Sequence, residues 1–98
     1  MDTFQLLADP TRRQILDLLS NGDLDAGTLA DHFPISQPAI SRHLRNLREG
    51  GLVTVRTSAQ RRIYSAQADG LREIADWLNR YRSFWSENLT RPASHQRG

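Results

Sequence analysis

The chain has 98 residues, no cysteine, and thirteen basic against eleven acidic residues, for a formal net charge of +2. A chain of this length forms a single domain with a thin hydrophobic core. The lack of cysteine excludes disulfides, thiolate zinc sites and thiol redox sensing. No apolar run approaches the roughly 18 residues of a membrane span, and the N-terminus lacks a signal-peptide pattern, so we expect a cytoplasmic protein.

Positive charge is concentrated in the middle of the chain. Residues 1–35 contain two Arg against six Asp, for a charge of −4. Residues 36–65 contain six Arg against one Glu, for +5, and residues 66–98 contain five Arg against four acids, for +1. A basic segment is most often a solvated surface, but confinement of the charge to the middle segment favours a polyanionic partner.

The first half of the chain predicts helices in quick succession. Residues 2–8 indicate a short first helix. Asp9 as N-cap and Pro10 at the first helical position begin a second helix, which ends at residues 21–22. Residues 25–33 predict a third helix capped by Asp25, and residues 34–36 predict a three-residue turn.

A fourth helix follows the turn directly. Ser36 is the expected N-cap, and Pro38 is tolerated in the first turn, where its missing N–H has no intrahelical acceptor. Gly residues at 50 and 51 end the helix. Its apolar stripe, at i, i+4 and i+7, consists of Ile40, Leu44 and Leu47. His43 lies beside this stripe, so we expect a hydrogen-bonded packing role for it.

The second half of the chain predicts a β-hairpin and a last helix. Residues 52–57 alternate as a strand, residues 58–60 turn, and residues 61–65 return. Residues 69–89 predict one long helix capped by Asp69. The predicted fold is therefore mainly α with a small β-hairpin, in the order helix, helix, helix, helix, strand, strand, helix. Residues 1–90 form the predicted domain, and residues 91–98 a flexible tail.

Two short helices joined by a tight turn are the helix-turn-helix geometry, whose second helix enters the DNA major groove. With the apolar stripe assigned to the core, the fourth helix faces outward with residues that pair with bases or phosphates. These candidates are Ser36, Gln37, Pro38, Ser41, Arg42 and Arg45. Ser36 has a second interpretation, as a structural cap only. Arg48, near the end of the helix, is interpreted as a surface charge that interacts favourably with the helix dipole.

A hairpin beside a helix-turn-helix makes a wing, which can place Arg along the DNA backbone or in the minor groove. The candidates are Arg56, Arg61 and Arg62. Because strand side chains alternate, Arg62 is expected on the opposite face from Arg61. We expect one or two of these three residues to contact DNA.

Two stretches, "DPTRRQILDLL" and "AGTLADHFPISQPAISRHLRNLREGGLV", are followed by a short basic hairpin and a C-terminal helix. Together they resemble the arsenical-resistance-repressor (ArsR/SmtB) family of winged helix-turn-helix transcriptional repressors, over roughly residues 3–88. The resemblance implies a homodimer, packed through its first and last helices, that binds an inverted-repeat operator in double-stranded DNA. It also places the positions of Ser36, Gln37, Ser41 and Arg42 on the recognition helix.

The chain departs from the metal-sensing members of that family. It has no Cys, residues 69–90 contain no His, and its three His lack zinc-ligand spacing. We therefore predict neither a metal site nor a cofactor, and the chain resembles the metal-blind subgroup. Gln60, at the tip of the hairpin, stands where Gly is common in the family.

Apolar residues of the last helix are spaced 3, 4, 3, 4, which is a seam suited to a partner helix. A second interpretation is that this face covers the domain's own core, and we expect both to apply. The predicted dimer interface consists of Phe4, Leu7, Leu71, Ile74, Leu78, Tyr81 and Trp85. Trp77 and Phe84 have an alternative role, lining a pocket for an apolar effector.

The leading hypothesis is a dimeric, sequence-specific DNA-binding regulator, most simply a repressor of its own or a neighbouring operon, without metal response. One alternative is a winged-helix module for protein interactions. Another is a repressor induced by an apolar small molecule bound at the dimer interface. An enzyme is not predicted, because paired carboxylates, a nucleophile–base set and a phosphate-binding loop are all lacking in the sequence.

Overall fold

The computed structural model describes residues 1–89, so the predicted tail at residues 91–98 lies outside the described residues. Within them, the helices are α1 (Thr3–Leu7), α2 (Pro10–Ser20), α3 (Ala26–Ala30), α4 (Gln37–Glu49), α5 (Arg72–Arg80) and α6 (Arg82–Leu89). The strands are β1 (Leu24–Asp25), β2 (Val53–Ser58) and β3 (Arg61–Ala66). A 3₁₀ turn, Asp69–Leu71, precedes α5.

The mainly helical winged helix-turn-helix class predicted from the sequence is confirmed. The strands form an antiparallel sheet in the order β1-β3-β2, and the β2–β3 hairpin, called the wing below, pairs over its whole length. The sequence did not predict β1, which pairs Leu24 with Tyr64 and Asp25 with Ile63. Two residues are too few to show the alternation that indicates a strand.

Three helices begin at the predicted N-caps. The Asp9 carboxylate accepts from the Arg12 N–H at 3.1 Å, and the Asp25 carboxylate from the Thr28 N–H at 2.8 Å. The Ser36 hydroxyl oxygen accepts from the N–H of residue 39 at 3.2 Å. Each bond satisfies one of the backbone donors that a helix start leaves without a partner.

The third helix is shorter than predicted, because α3 ends at Ala30 rather than Phe33. The His32 and Phe33 amides bond carbonyls three residues back, each at 3.1 Å, which tightens the chain into turns. Pro34 also disfavours helical backbone at the residue before it. The connection to α4 is therefore residues 31–36, longer than the three-residue turn predicted.

The prediction of one long last helix capped by Asp69 is wrong in two respects. Asp69 lies inside the 3₁₀ turn, and its carboxylate accepts from the Gln67 side-chain amide at 3.0 Å. The helix also breaks at Tyr81, whose φ of −113° and ψ of 19° are not helical. At the break, the Leu78 carbonyl oxygen accepts from the Tyr81 N–H (3.1 Å) and from the Trp85 indole N–H (2.8 Å).

Each of the four helices α1, α2, α3 and α4 contributes side chains to the core, and so does the sheet. Its buried side chains are Leu6, Ile15, Leu19, Leu29, Ile40, Leu44, Leu47, Leu52, Val53 and Tyr64. The predicted stripe of α4 is among them, and each such side chain contributes about 1.5–3 kcal/mol when fully buried. This burial determines which face of α4 remains exposed. By contrast, α5 and α6 contribute no buried residue.

Arg12 is a buried charged residue whose role the sequence did not reveal. Its Nε donates to the Leu6 carbonyl oxygen at 2.7 Å, and Nη2 to the Gln5 carbonyl oxygen at 3.1 Å. Its Nη1 lies 3.3 Å from Nδ1 of the half-buried His43. Arg12 therefore satisfies carbonyl groups at the end of α1 and links them to α4.

Candidate nucleic-acid interface

One exposed surface of α4 carries every DNA-binding candidate that the sequence placed on this helix. We call it the α4 face, and it consists of Ser36, Gln37, Pro38, Ser41, Arg42 and Arg45, all exposed. The Ser36 oxygen is occupied as the N-cap acceptor, but its hydroxyl proton can still donate to another group. The two interpretations of Ser36, cap and DNA contact, are thus chemically compatible.

The arginines of α4 are not neutralised by any acidic residue of the described part of the chain. Within residues 1–89, Arg42, Arg45 and Arg48 form no hydrogen bond or ion pair, and Glu49 offers none of them a salt bridge. All three are exposed. Arg48, which the sequence assigned to the helix dipole, follows Arg45 by three residues, a spacing that puts both side chains on one side of the helix.

Two wing arginines are paired with acidic residues. Arg56 donates to the Asp23 carboxylate at 2.9 Å and to the Ser65 hydroxyl at 3.2 Å. Arg61 donates to the carboxylate of Asp25, at the beginning of α3. These pairs largely cancel the positive charge of both arginines where they stand.

The pKa values of the two carboxyl groups reflect these contacts. The hydrogen bond from Arg56 is the main cause that lowers the pKa of Asp23 below its ordinary 3.8. The pKa of Asp25 is lowered to about 2, first by the backbone N–H of Thr28 and then by Arg61. Both donors favour the charged form of the carboxylate.

Arg62 is the wing arginine without an acidic partner in the described part of the chain. It lies on the same strand face as Tyr64, two residues away, with its guanidinium carbon 5.7 Å from the centre of the tyrosine ring. This face of β3 meets α4 across a cleft of about 100 Å³, the α4–wing cleft. The cleft is lined by Ser41, Arg45, Arg48, Arg62 and Tyr64. The structure thus brings Arg62 together with α4 and turns Arg56 and Arg61 toward the acids of the β1 region.

A second group of exposed side chains is apolar and comes from α1, the 3₁₀ turn, α5 and α6. It consists of Phe4, Leu71, Trp77, Leu78, Tyr81, Phe84 and Leu89, all exposed large side chains, and we call it the apolar face. Phe4 packs edge-on against Trp77 with ring centres 6.1 Å apart, and Trp77 lies 5.1 Å from Tyr81.

Some of the predicted dimer residues lie on the apolar face, and the others are half-buried within the subunit. Phe4, Leu71, Leu78 and Tyr81 lie on the apolar face. Leu7 and Ile74 are half-buried, as is Trp85 of α6, whose indole N–H donates to the Leu78 carbonyl oxygen of α5. Trp77 and Phe84, which the sequence offered for an effector pocket, are exposed at 43% and 67%.

Residues 1–89 contain no cluster of three or more His, Asp or Glu side chains that could hold a metal ion. No helix in this part is long and apolar enough to cross a membrane.

Comparison with known proteins adds independent information. The family model described as "Bacterial regulatory protein, arsR family" matches residues 9–55. The chain is 40% identical to the transcriptional repressor SdpR of Bacillus subtilis, over 79% of this chain and 86% of that protein. It is 41% identical to the HTH-type transcriptional regulator Rv2034 of Mycobacterium tuberculosis, over 89% and 78% of the two chains.

A solved structure shows the same fold. The crystal structure of a "Possible transcriptional regulator for arsenical resistance" superposes with a TM-score of 0.74 at 40% identity. The match covers 91% of this chain and 90% of that one.

Proposed function

Because the chain belongs to the bacterial ArsR family of winged helix-turn-helix transcriptional regulators, which are not enzymes, we propose that it is a dimeric, sequence-specific DNA-binding repressor. The operon it controls is its own or a neighbouring one. The observation that carries this proposal is the set of uncompensated arginines on α4, beside Arg62 of the wing. An arginine without an acidic partner in its own subunit binds a polyanion more favourably, because no existing ion pair has to be broken.

The α4 face also has the side chains that distinguish bases. Arg42 and Gln37 are exposed toward the start of the helix, and Arg and Gln form two-bond pairs with guanine and adenine. The N-terminal part of a recognition helix is the part that contacts base edges. We therefore assign sequence preference chiefly to Gln37, Ser41 and Arg42.

The apolar face supports a dimer. A stretch of exposed aromatic and aliphatic side chains on a chain of this size is a protein-interaction surface far more often than a solvated one. An isologous dimer through α1, α5 and α6 would place two recognition helices about 34 Å apart, on two half-sites of an inverted repeat. Such a dimer would also increase the buried surface of a small protein.

Fluorescence anisotropy tests the proposal directly. The purified protein is titrated onto its own upstream DNA and onto a scrambled duplex, across a salt series, and both titrations are repeated with Arg42→Ala. If three or four Arg per subunit meet phosphates, a dimer neutralises about six to eight, and the salt slope is about −5 to −7. Arg42→Ala should remove the preference for the native duplex. A slope near zero would contradict the role of the basic surface.

The remaining parts of the proposal have their own readouts. Expression of a reporter gene under the upstream promoter should rise when the gene for this protein is deleted. A fall in expression would indicate that the protein is an activator. Added zinc or a chelator should leave operator affinity unchanged, since the sequence contains no thiolate ligand and no zinc-ligand spacing of His. A metal-dependent affinity change would refute the metal-blind assignment.

One observation favours a second candidate, a repressor induced by an apolar small molecule. A groove of about 560 Å³ opens between α1, α2 and the segment before α5, within the size range of ligand sites. It shares Leu7 and Leu71 with the predicted dimer interface. Ala68→Trp, which places a large ring in the groove, should then reduce release of DNA by any inducer without weakening DNA binding itself.

The protein-interaction alternative has less support. The exposed large apolar side chains gather on the apolar face, with Ile35 and Met1 outside it, and none lies on the wing. The surface formed by the α4 face and the wing is instead polar and basic. If this alternative were correct, the protein would bind the native duplex and the scrambled duplex with equally low affinity.

A further inference from the structure

The α4–wing cleft is lined mainly by cationic side chains. Three of its five lining residues are arginines, from two different elements: Arg45 and Arg48 on α4 and Arg62 on β3. No acidic residue lines the cleft, and none pairs with these arginines within residues 1–89. Three cations that converge on one small concavity repel one another, and an anion between them relieves that repulsion.

The cleft also holds hydroxyl groups without hydrogen-bond partners. Tyr64 is a core residue with only 5% of its surface exposed, yet its hydroxyl makes no hydrogen bond in the described part of the chain. No fully buried polar side-chain atom among residues 1–89 lacks a partner. The Tyr64 hydroxyl must therefore reach solvent, and the cleft is the opening that its side chain lines. The Ser41 hydroxyl, on the opposite wall, also forms no hydrogen bond with any of residues 1–89.

We propose that this cleft binds one phosphodiester group of the DNA backbone in each subunit, held by the arginines and by a hydrogen bond from the Tyr64 hydroxyl. Guanidinium groups and hydroxyls are the donors that phosphate oxygens accept from most often in DNA complexes. The inference rests on the proposed DNA binding. It assigns Arg48 and Tyr64, which the sequence did not nominate for DNA contact, to a positioning role that fixes the register of α4 without reading bases.

Salt-dependent binding of matched variants tests the inference. Arg48→Gln removes one of the three cations at the proposed phosphate, so the salt slope of a dimer should become less steep by up to about 2, since each phosphate that is no longer neutralised contributes about 0.9. Affinity near 0.1 M salt should fall by about ten- to a hundredfold, and equally for native and scrambled duplexes. Arg80→Gln, which removes the same charge from α5, is the control and should leave the slope unchanged.

Tyr64→Phe provides a second variant that keeps the core side chain. This variant should bind both duplexes about five- to tenfold more weakly, while its melting temperature stays that of the wild type. A loss of affinity confined to the native duplex would make these residues base readers and would overturn the proposal. A slope change in Arg48→Gln no larger than that of Arg80→Gln would also overturn it.

Chemical neutralisation of single phosphates locates the contact. Operator duplexes are made with one methylphosphonate at each backbone position in turn. At one position per half-site, the methylphosphonate should weaken DNA binding by the wild type more than by Arg48→Gln, because the variant has already lost part of that contact. If the methylphosphonate and Arg48→Gln reduced the affinity additively at every backbone position, the assignment would be refuted. Inorganic phosphate exchanged for chloride at constant ionic strength should not displace DNA, and displacement would assign the cleft to a free anion instead.

Failure of this inference is distinguishable from failure of the proposed function. If the wild type binds no duplex at all, DNA binding itself is refuted and the phosphate contact with it. If the wild type binds its operator while the cleft variants behave like Arg80→Gln, the function stands and the cleft has no part in it.

Discussion

The Gly70 N–H donates a hydrogen bond of 2.9 Å to the carbonyl oxygen of Gly51. Gly51 follows the end of α4, and Gly70 lies in the turn that begins α5. The Thr3 hydroxyl of α1 donates to the Gly70 carbonyl oxygen at 2.8 Å, so three segments meet at this point. These bonds hold the α4 face and the apolar face in a defined relative position.

The close approach at Gly70 makes it intolerant of a side chain. A Cβ there would stand 2.3 Å from the Gly50 carbonyl oxygen and 2.9 Å from the carbonyl carbon of Gly51. We expect Gly70→Ala to lower the free energy of unfolding by about 1–3 kcal/mol, because backbone atoms must move to admit the methyl group. Urea unfolding followed by tryptophan fluorescence measures this change.

The matched control is Gly27→Ala in α3. A Cβ there meets only the Asp25 carboxylate, at an ordinary 3.5 Å, and alanine favours a helix over glycine by up to about 1 kcal/mol. This variant should be neutral or stabilised. Equal losses in the two variants would show that the backbone contact at Gly70 is not the cause.

The three wing arginines should differ in their effects on DNA binding. Arg62 has no acidic partner among residues 1–89, whereas Arg56 and Arg61 are paired with Asp23 and Asp25. Arg62→Gln should therefore make the salt slope less steep, by up to about 2 for a dimer, and Arg56→Gln and Arg61→Gln should change it much less. Anisotropy titrations across a salt series provide the comparison. Equal effects of all three would mean that the ion pairs open when DNA binds.

Acid should remove the contribution of Asp25 to stability. Its folded pKa of about 2 lies below the ordinary 3.8, so the contribution is present above about pH 4 and is lost as the pH falls through about 2. Asp25→Asn retains an oxygen for the Thr28 N–H but loses the charge that faces Arg61. The difference in unfolding free energy between wild type and Asp25→Asn should shrink from pH 5 to pH 2. A constant difference across that range would contradict the lowered pKa.

The tip of the wing is strained and can be improved. Ala59 and Gln60 have φ values of +48° and +70°, a left-handed conformation that residues other than Gly and Asn adopt at a cost. Ala59→Asn with Gln60→Gly, the preferred pair for a two-residue hairpin turn, should stabilise the protein by about 1 kcal/mol. The expected rise in melting temperature is about 4–8 °C. Gln60→Ala, which keeps a Cβ, is the control and should give no rise.

A charge on the apolar face should disrupt the proposed dimer. Leu78 is 40% exposed on α5, and along the chain it follows Trp77 directly and precedes Tyr81 by three residues. Leu78→Glu would bury a carboxylate in the interface, so the protein should sediment as a monomer and lose operator affinity. Asn79→Glu, on the next residue of the same helix, should leave the sedimentation coefficient unchanged. A wild type that sediments as a monomer at micromolar concentration would contradict the dimer.

Much of the site was predictable because it lies on one helix. The period of Ile40, Leu44 and Leu47 identified the buried side of α4, and so the exposed positions of Gln37 and Arg42, before any tertiary contact was known. The caps at Asp9 and Ser36 were equally local, since each involves an amide only three residues away.

The sequence by itself determined the helix-turn-helix and the outward residues of α4, because caps and apolar periods act within a few neighbouring residues. Only the tertiary structure decided which arginines keep their charge available. Arg56 and Arg61 are neutralised by acids 33 and 36 residues earlier, brought near by the unpredicted pairing of β1 with β3. Arg48 and Tyr64 meet at one cleft for a similar reason, since packing of α4 against the sheet joins residues that no local rule connects.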